Sequence, residues 1–303
     1  MSGEDLPRMI LRPFDPWKSP LCTCPAKLSL NPYTGCPHGC LYCYASSYIP
    51  RFGQCRPKVD LLKRLARESH KIRPGTLVAL SNSSDPYPPL EKDLKLSLGC
   101  LQILKGRGLC VQVVTKSHLV ARDAKLLADM SACVAITITS LSESVSRKLE
   151  PGAPLPAKRL DAMAKLAENG VAVSARIDPI IPCINDAKIE QLVEAVSRAG
   201  AGHITSSTLK ARPGSMKKII SAFPQKGAAL ESLFARGDTV AGSRYLPAEI
   251  RRNLMQEVNE CARREGVTFS SCREGWATVP GINCDGSHLL SAVRNSEHNS
   301  EHQ

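Results

Sequence analysis

Three cysteines stand close together in the segment NPYTGCPHGCLYCYA, at Cys36, Cys40 and Cys43. A structural zinc site binds four protein ligands, but this loop has no fourth cysteine, and the spacing of His38 would strain a shared tetrahedral site. Zinc with a distant fourth ligand therefore stays open as an alternative. A four-iron cluster usually takes four cysteines, so with three of them one iron keeps an open position for a reactive cofactor. The spacing therefore favours a catalytic iron–sulfur cluster.

The elements that must position this loop follow from the periodicity of the chain. Runs rich in β-branched residues predict six strands, at residues 28–31, 77–81, 110–115, 134–139, 171–177 and 203–207. Helical patterns lie between them, so we expect βαβ units and a parallel sheet. Periodicity leaves open whether the sheet closes partly into a barrel or lies flat as a doubly wound sheet. In both architectures the chemistry belongs at the carboxyl ends of the strands.

Amphipathic spacing predicts the helices between and after these strands. Val59, Leu62 and Ala66 share one helical face, and a second helix around residue 160 should end at Gly170. A third stripe runs from residue 189 to residue 199, and a further helix is predicted around residues 246–264. Beyond about residue 210, proline and glycine interrupt the alternation, and the end of the chain reads as rich in loops.

The composition of the chain indicates its cellular compartment and the class of partner that it binds. The chain has no apolar run of about 18 residues and no signal-peptide core, so we expect a cytoplasmic protein that does not contact a membrane. Thirteen cysteines in a reducing compartment favour metal ligands over disulfides. The net charge of +12 favours DNA or RNA as a partner, although many basic proteins simply have solvated surfaces.

The spacing C-x3-C-x2-C, with the aromatic Tyr42 before the third cysteine, resembles the radical S-adenosylmethionine (SAM) superfamily. Five longer motifs are similar to those of the spore photoproduct lyase-like branch, often called DNA repair photolyase. They are NPYTGCPHGCLYCYA, SNSSDPYPPLEK, VVTKS, KLEPGAP and RIDPIIP. The resemblance covers residues 28–210 and extends weakly through CREG and CDGSHL to about residue 290. It implies an α/β fold, a partial (β/α)6 TIM-type barrel of the radical SAM kind with N- and C-terminal extensions. The expected parts are an extension at 1–27, the core at 28–211, an extension at 212–290 and a disordered tail at 291–303.

The resemblance also implies the chemistry. In this superfamily a [4Fe–4S] cluster binds SAM and cleaves it to methionine and a 5′-deoxyadenosyl radical. An electron donor such as ferredoxin or flavodoxin is then a further partner. With the basic charge, the implied substrate is nucleic acid, in a reaction that repairs a photolesion or modifies a nucleotide. The alternatives are a radical enzyme acting on a protein or small molecule, and a non-catalytic iron–sulfur or zinc protein.

Polar residues after successive strands are the candidate cofactor contacts. By similarity, Ser84 contacts SAM beside Asp85, and Lys116 pairs with the SAM carboxylate. Hydroxyls at Thr139 and Ser140 would suit the ribose or the amino group. Each has a plainer alternative, since Ser-Asp-Pro is good turn chemistry, lysines are often solvated, and threonine is ordinary strand content.

Other candidates are less local. Tyr42 would place an aromatic face beside the adenine. Arg176, with Asp178, would bind the cofactor, or the two would pair with each other. Glu150 and Arg159 are weaker candidates of the same kind. Asn82 stands where the lyase has its hydrogen-donating cysteine, which puts the lyase reaction itself in doubt.

Four cysteines outside the core could form a second site. Cys22 and Cys24 precede the first strand, and Cys272 and Cys284 lie in the loop-rich end. If the two ends of the chain pack together, these thiols would bind an auxiliary iron–sulfur cluster or a zinc ion.

Overall fold

The structure is a computed structural model and describes residues 9–14, 19–80, 82–276 and 279–290. The strands in chain order are β1 (Arg12–Pro13), β2 (Leu28–Leu30), β3 (Tyr33–Thr34), β4 (Arg56–Pro57), β5 (Leu77–Leu80), β6 (Cys110–Thr115), β7 (Ala132–Thr137), β8 (Ala172–Ile180), β9 (His203–Thr208), β10 (Thr239–Val240), β11 (Ser243–Arg244) and β12 (Thr268–Ser271). The α-helices are α1 (Leu61–Ser69), α2 (Glu91–Leu94), α3 (Leu96–Gly106), α4 (Ala124–Ala128), α5 (Glu143–Leu149), α6 (Pro156–Glu168), α7 (Ile189–Arg198), α8 (Pro213–Ala222), α9 (Gly227–Ala235) and α10 (Ala248–Arg264). Short 3₁₀ helices span Tyr44–Ser47, His118–Asp123 and Pro224–Lys226.

One sheet organises the chain, with strands in the order β1-β2-β5-β6-β7-β8-β9-β12. Its strands from β2 onward are all parallel, and only β1 pairs antiparallel, on β2. The order follows the chain without the reversal that defines a doubly wound sheet, so each crossover carries the chain to the next strand on the same side. The predicted α/β fold of the partial TIM-barrel type is confirmed, and the doubly wound alternative is wrong.

All six predicted strands are present, and β6 has the predicted ends. The fourth predicted strand starts and stops two residues earlier, at Ala132–Thr137, and the fifth continues to Ile180. A seventh parallel strand, β12, pairs with β9 from the region predicted as loop. Its four residues, TFSS, carry a single large apolar side chain, so they are too short and too polar to show a strand pattern.

The helices bury the stripes that their spacing predicts, with one exception. α7 buries Ile189, Leu192, Val193 and Val196. α6 is followed by Gly170, whose φ of 80° is the left-handed conformation that glycine adopts readily after a helix. The predicted face of Val59, Leu62 and Ala66 is wrong, because α1 begins after Val59, which is 80% exposed, and buries Leu61 and Leu65 instead.

Two large apolar cores stabilise the fold, and a small third cluster joins Cys110, Cys133 and Leu290. The larger one fills the space between the sheet and its helices and includes Leu101, Val134 and Val193. A smaller one lies under α8 and α9, where Leu149, Ile219 and Phe234 pack together, and Leu41 and Tyr42 of the cysteine segment pack against it. Apolar contacts with this smaller core therefore hold the cysteine segment in place.

The amino-terminal end of the sheet is closed by a segment from the end of the chain. Lys27, just before β2, forms a buried ion pair with Asp285 and also donates to Gln112 of β6 (3.0 Å). Thr205 Oγ1 of β9 donates to the Cys284 carbonyl (2.9 Å). Gly286 adopts a φ of 79° against Ser174 of β8, where a Cβ would lie 3.0 Å from the serine side chain. Residues 284–290 thus form the floor of the barrel.

Within the described ranges, no helix is long and apolar enough to cross a membrane. The predicted tail, 291–303, lies outside the described residues, and the division of the chain into a core and extensions stays a prediction.

The fold predicts a clear difference between two leucines of neighbouring helices. Leu101 of α3 is fully buried, whereas Leu94 of α2 is 46% exposed. Leu101→Ala should lower the free energy of unfolding by about 2–5 kcal/mol, because it leaves a cavity in the larger core. Leu94→Ala should change it by less than about 0.5 kcal/mol. Urea unfolding followed by circular dichroism measures both, and equal effects would contradict the packing described here.

Candidate active site

The cysteine segment begins directly after β2 and is held by backbone contacts. The Cys36 N–H donates to the Phe52 carbonyl (2.7 Å), and the Cys43 N–H donates to the Cys40 carbonyl (3.1 Å). Gly35, at a φ of 80°, brings the chain so close that a Cβ would lie 2.5 Å from the Gln54 carbonyl oxygen. Only glycine fits at this position, so the tight turn before Cys36 is a requirement of the loop.

The three thiols of this segment lie close enough to act on one another electrostatically. Burial raises the pKa of Cys36 to about 12, with smaller contributions from Asp85 and Cys43. Burial also raises the pKa of Cys40, and Cys43 and Cys36 contribute in the same direction. In the part of the chain that the structure describes, no three Cys, His, Asp or Glu side chains converge on a single metal ion. Three thiolates on one loop could each bind a different iron of a multi-iron cluster.

The Asp85 carboxylate ties the cysteine segment to the ends of two strands. Its Oδ1 accepts from the Tyr87 N–H (2.9 Å) and the Thr115 hydroxyl (2.6 Å), and its Oδ2 accepts from the Lys116 N–H (2.8 Å). His38 Nδ1 lies 3.5 Å from Oδ2. Because burial lowers the pKa of His38, the imidazole is neutral at pH 7 and this is a contact between a carboxylate and a neutral ring. Asp85 thus positions the loop.

A second buried group of charges also supports the segment. Glu150 and Arg159 are fully buried and form an ion pair at 2.6 Å. The Tyr42 hydroxyl donates to Glu150, and the Lys116 ammonium lies 5.4 Å from the centre of the Tyr42 ring. Arg159 also donates to the carbonyls of Pro154 (2.7 Å) and Thr137 (2.9 Å). The weaker candidates Glu150 and Arg159 therefore anchor Tyr42 and the end of β7.

These charges set the protonation of Lys116. Burial lowers the pKa of Lys116, but Cys40 and Glu150 act more strongly together and raise it above its ordinary value. The ammonium is therefore kept charged beside the thiol of Cys40, where it can attract a carboxylate.

The remaining predicted cofactor contacts differ in how their hydroxyls are used. Ser84 is buried, and its Oγ donates to the Tyr33 carbonyl (2.8 Å). Ser140 Oγ accepts from the Ser142 N–H (3.1 Å), a local turn contact. The Thr139 hydroxyl is buried without a hydrogen-bond partner among the described residues. A buried hydroxyl left unsatisfied by the protein fits a bound polar ligand, so Thr139 supports the predicted cofactor site. The assignment of these residues, and of Tyr42, as cofactor contacts stays a prediction.

Arg176 and Asp178 at the end of β8 pair with each other at 2.6 Å, one of the two predicted outcomes. Both are partly exposed, at 17% and 23%, and face the carboxyl end of the sheet. Ser207 of β9 donates to Asp178 (2.5 Å), and Arg176 also forms a hydrogen bond with the Cys272 thiol.

Three of the four cysteines of the predicted second site lie together. Cys284 Sγ lies 3.4 Å from Cys24 Sγ, although the two residues are 260 positions apart, and Cys22 forms a hydrogen bond with Cys24. Cys272 instead contacts Arg176, at the carboxyl end of the sheet. The two ends of the chain thus meet as expected, while the auxiliary cluster or zinc ion stays a prediction.

Comparison with known proteins decides the family. The radical SAM superfamily model matches residues 30–196, more than half of the chain. The chain belongs to the radical SAM superfamily. It is 34% identical to an uncharacterized protein of Methanocaldococcus jannaschii, over 58% of this chain and 67% of that one. It is also 23% identical to a radical SAM Nalpha-GlyT isomerase of Pseudomonas phage M6, over 83% of this chain and 54% of the relative.

Solved structures agree on the fold. A mutant of spore photoproduct lyase with bound AdoMet and dinucleoside spore photoproduct superposes with a TM-score of 0.64, at 17% identity, over 84% of this chain and 79% of the lyase. This radical SAM protein is an enzyme, and its family implies SAM and a [4Fe–4S] cluster as cofactors. The non-catalytic alternative is therefore not favoured.

Several residues of the site were missed in the sequence. Asn185 donates to the carbonyls of Thr139 (2.7 Å) and Pro179 (3.0 Å), which joins the ends of β7 and β8. Glu274 is fully buried and accepts from Lys210 and Arg251 at the mouth of the barrel. The motif CREG was the only signal for Glu274, and a single glutamate in a loop does not reveal partners that are far away in sequence.

The buried ion pair predicts an acid-sensitive site. Burial raises the pKa of Glu150, but Arg159 and Lys116 outweigh this effect and hold it below its ordinary value. A carboxylate with a lowered pKa stabilises the fold above the pKa it has when unfolded, and this contribution disappears as the pH falls below about 4. Glu150→Ala should cost roughly 3–5 kcal/mol at pH 7, because it leaves Arg159 buried without a counterion.

Urea unfolding at pH 7 and at acidic pH measures this effect. Glu143→Ala is the matched control, since Glu143 pairs with Arg147 on the surface and both side chains are more than half exposed. If the difference between Glu150→Ala and the wild type were as large at low pH as at pH 7, the pair would not carry the stabilisation.

Proposed function

We propose that this radical SAM enzyme binds its [4Fe–4S] cluster through Cys36, Cys40 and Cys43 and acts on nucleic acid, by repairing a lesion or modifying a nucleotide. Three thiols on one loop, an ammonium at Lys116 and an unsatisfied hydroxyl at Thr139 together support a site for the cluster and SAM. Cluster and SAM together supply a 5′-deoxyadenosyl radical when both are bound.

The residues of this chain would bind and orient the cofactor. The Lys116 ammonium is held charged and would pair with the SAM carboxylate, and the Thr139 hydroxyl would donate to a polar group of SAM. Ser84, Asp85, Ser140 and Arg176 complete the proposed surroundings, with Asp85 acting through the position of the loop. Because the reductive cleavage of SAM needs an electron, an external donor such as ferredoxin or flavodoxin is part of the proposal.

The observation that carries the nucleic-acid assignment is an exposed aromatic pair beside the cysteine segment. Tyr44 and Tyr48 are 36% and 45% exposed, and their rings stack with centroids 6.4 Å apart and planes 19° from parallel. Arg212 lies at the same edge, where it donates to Ser47 (2.8 Å). Exposed aromatic faces beside cationic groups are the usual means by which proteins bind single-stranded bases.

The adjoining part of the chain adds positive charge. Residues 212–246, which contain α8, α9 and the hairpin of β10 and β11, carry six Lys or Arg against two Asp or Glu. They pack beside the cysteine segment through the smaller apolar core. A basic surface next to the site suits the phosphates of DNA or RNA.

The relatives favour the same class of substrate. Solved structures of spore photoproduct lyase hold a dinucleoside spore photoproduct, and the phage relative bears the name of a Nalpha-GlyT isomerase. Asn82, however, replaces the cysteine that donates hydrogen in the lyase, and its amide is bonded to Ser29 (2.7 Å). The spore photoproduct reaction itself is therefore not proposed.

The cofactor part of the proposal predicts SAM cleavage. After anaerobic reconstitution with iron and sulfide and chemical reduction, the enzyme should release 5′-deoxyadenosine from SAM and contain about four irons per chain. The triple variant Cys36→Ala, Cys40→Ala, Cys43→Ala should lose both. Cys183→Ala, which removes an exposed cysteine, is the control and should keep both.

About eight irons per chain, with roughly four surviving the triple substitution, would indicate the auxiliary cluster. Zinc in place of iron, or no SAM cleavage under strong reduction, would refute the proposed site.

The substrate part predicts binding of single-stranded DNA or RNA. Fluorescence anisotropy should give an affinity that falls steeply with salt, because phosphate contacts release counterions. Tyr48→Ala should weaken binding about tenfold or more, as expected when one stacked base loses its aromatic partner. Leu94→Ala removes a similarly exposed apolar side chain from α2, outside the cysteine segment and residues 212–246, and should bind normally. Binding that is insensitive to salt and to Tyr48→Ala would instead favour a protein or small-molecule substrate.

A further inference from the structure

A group of cationic side chains lies at the carboxyl end of the sheet, on the side formed by β8, β9 and β12. The register places Ser271 of β12 beside Ser206 of β9, and Ser206 beside Ile177 of β8. The Cys272 N–H continues this ladder by donating to the Ser206 carbonyl (2.8 Å). Side chains that leave the three strands at this level therefore meet at the mouth of the barrel.

Most of these cations share two carboxylates. Arg176 pairs with Asp178 at 2.6 Å, while Lys210 and Arg251 both pair with Glu274. Glu274 is fully buried, and the side chains of Lys210 and Arg251 are only 7% and 10% exposed. Burial lowers the pKa of Lys210 even though Glu274 and Asp178 oppose the shift. The carboxylates present thus compensate the ammonium incompletely.

Arg273 adds a further positive charge that no carboxylate neutralises directly. It adopts a φ of 54°, a left-handed conformation that is uncommon for arginine, and is only partly exposed. Within the described ranges its guanidinium makes no ion pair or hydrogen bond. The residues on either side hold it at the end of β12, since the Cys272 N–H donates to Ser206 and Glu274 pairs with Lys210. Its charge acts on Asp178, Tyr245 and Tyr44, and also on Cys22.

The formal charges of this group do not balance. Four cations, Arg176, Lys210, Arg251 and Arg273, face two carboxylates, Asp178 and Glu274. Two positive charges remain in a half-buried site, where uncompensated charge is costly. We propose that Arg273, together with Arg176 and Lys210, forms a subsite that binds a phosphate group of the substrate. The identification of the anion as a phosphate rests on the proposed action on nucleic acid.

The chemistry of the group fits phosphate. Guanidinium groups bind phosphate oxygens through two parallel N–H donors, whereas an ammonium contributes a point charge. A surplus of two positive charges matches one phosphate monoester dianion or two phosphodiesters. Tyr44 directly follows Cys43, so a nucleotide held by its phosphate at Arg273 would lie against the aromatic pair. The subsite would thus orient the nucleotide toward the cysteine segment.

The test compares a charged and a neutral ligand on the reconstituted enzyme. Calorimetry at low salt would use thymidine 5′-monophosphate, thymidine and glutarate as probes. Arg273→Gln should weaken binding of the monophosphate roughly 10- to 100-fold, because hydrogen bonds to a charged group are lost. The monophosphate affinity of Arg273→Lys should lie between those of Arg273→Gln and the wild type. Thymidine binding should not change in either variant. Arg67→Gln, which removes an exposed arginine from α1, is the matched control.

Unchanged monophosphate affinity in Arg273→Gln, with iron content and melting temperature as in the wild type, would overturn the subsite. Glutarate binding as tight as the monophosphate and equally dependent on Arg273 would overturn its assignment to phosphate. If SAM is not cleaved but monophosphate binding still depends on Arg273, the proposed reaction fails while the subsite stands.

Discussion

The carboxylate of Asp85 is the contact on which the geometry of the barrel mouth depends. Its two oxygen atoms accept hydrogen bonds from the turn after β5 and from the end of β6. One of the two oxygens also faces the imidazole of His38 in the cysteine segment. Three segments are thus held by one buried group that needs every one of its partners. Glu150 acts on the same segment in a similar way, with Arg159 and Tyr42. A loop held between two such anchors keeps its thiols in place before any cluster binds, which is the rigidity that a reactive cofactor requires.

The parts of the fold that sequence reasoning predicted are those with a local signal. Six strands, the stripe of α7 and the end of α6 at Gly170 each follow from the spacing of residues that are neighbours in the chain. The cysteine segment was predictable for the same reason, since its cysteines and glycines lie on one loop. β12 was missed because its partner β9 lies more than 60 positions earlier, and pairing across that distance leaves no trace in a four-residue segment. The face predicted from Val59 was wrong because this apolar residue lies just before the helix. It fits the helical spacing but is not part of the helix.

The site was predictable in its residues more than in its contacts. Asp85 and Arg176 were recognised as candidates from their place after strands, but the partners of Asp85 and the pairing of Arg176 depend on which segments the fold brings together. The network of Glu274 was invisible for the same reason, since Lys210 lies 64 positions away. Burial turns these distant pairs into strong constraints, because a charge removed from water must find a partner wherever the chain supplies one.

The ion pair between Lys27 and Asp285, 258 positions apart, also bears on how the chain is made. During synthesis the lysine leaves the ribosome well before the aspartate. Until the aspartate arrives, burying the ammonium alone would cost several kcal/mol, so the floor of the barrel stays hydrated while the strands above it pair. The edge of β9 also stays unpaired until β12 is synthesised. Until then its backbone groups are exposed to pairing with other nascent chains. β12 and residues 284–290 therefore complete the edge and the floor of the sheet, and the nascent sheet is open to aggregation until these segments emerge.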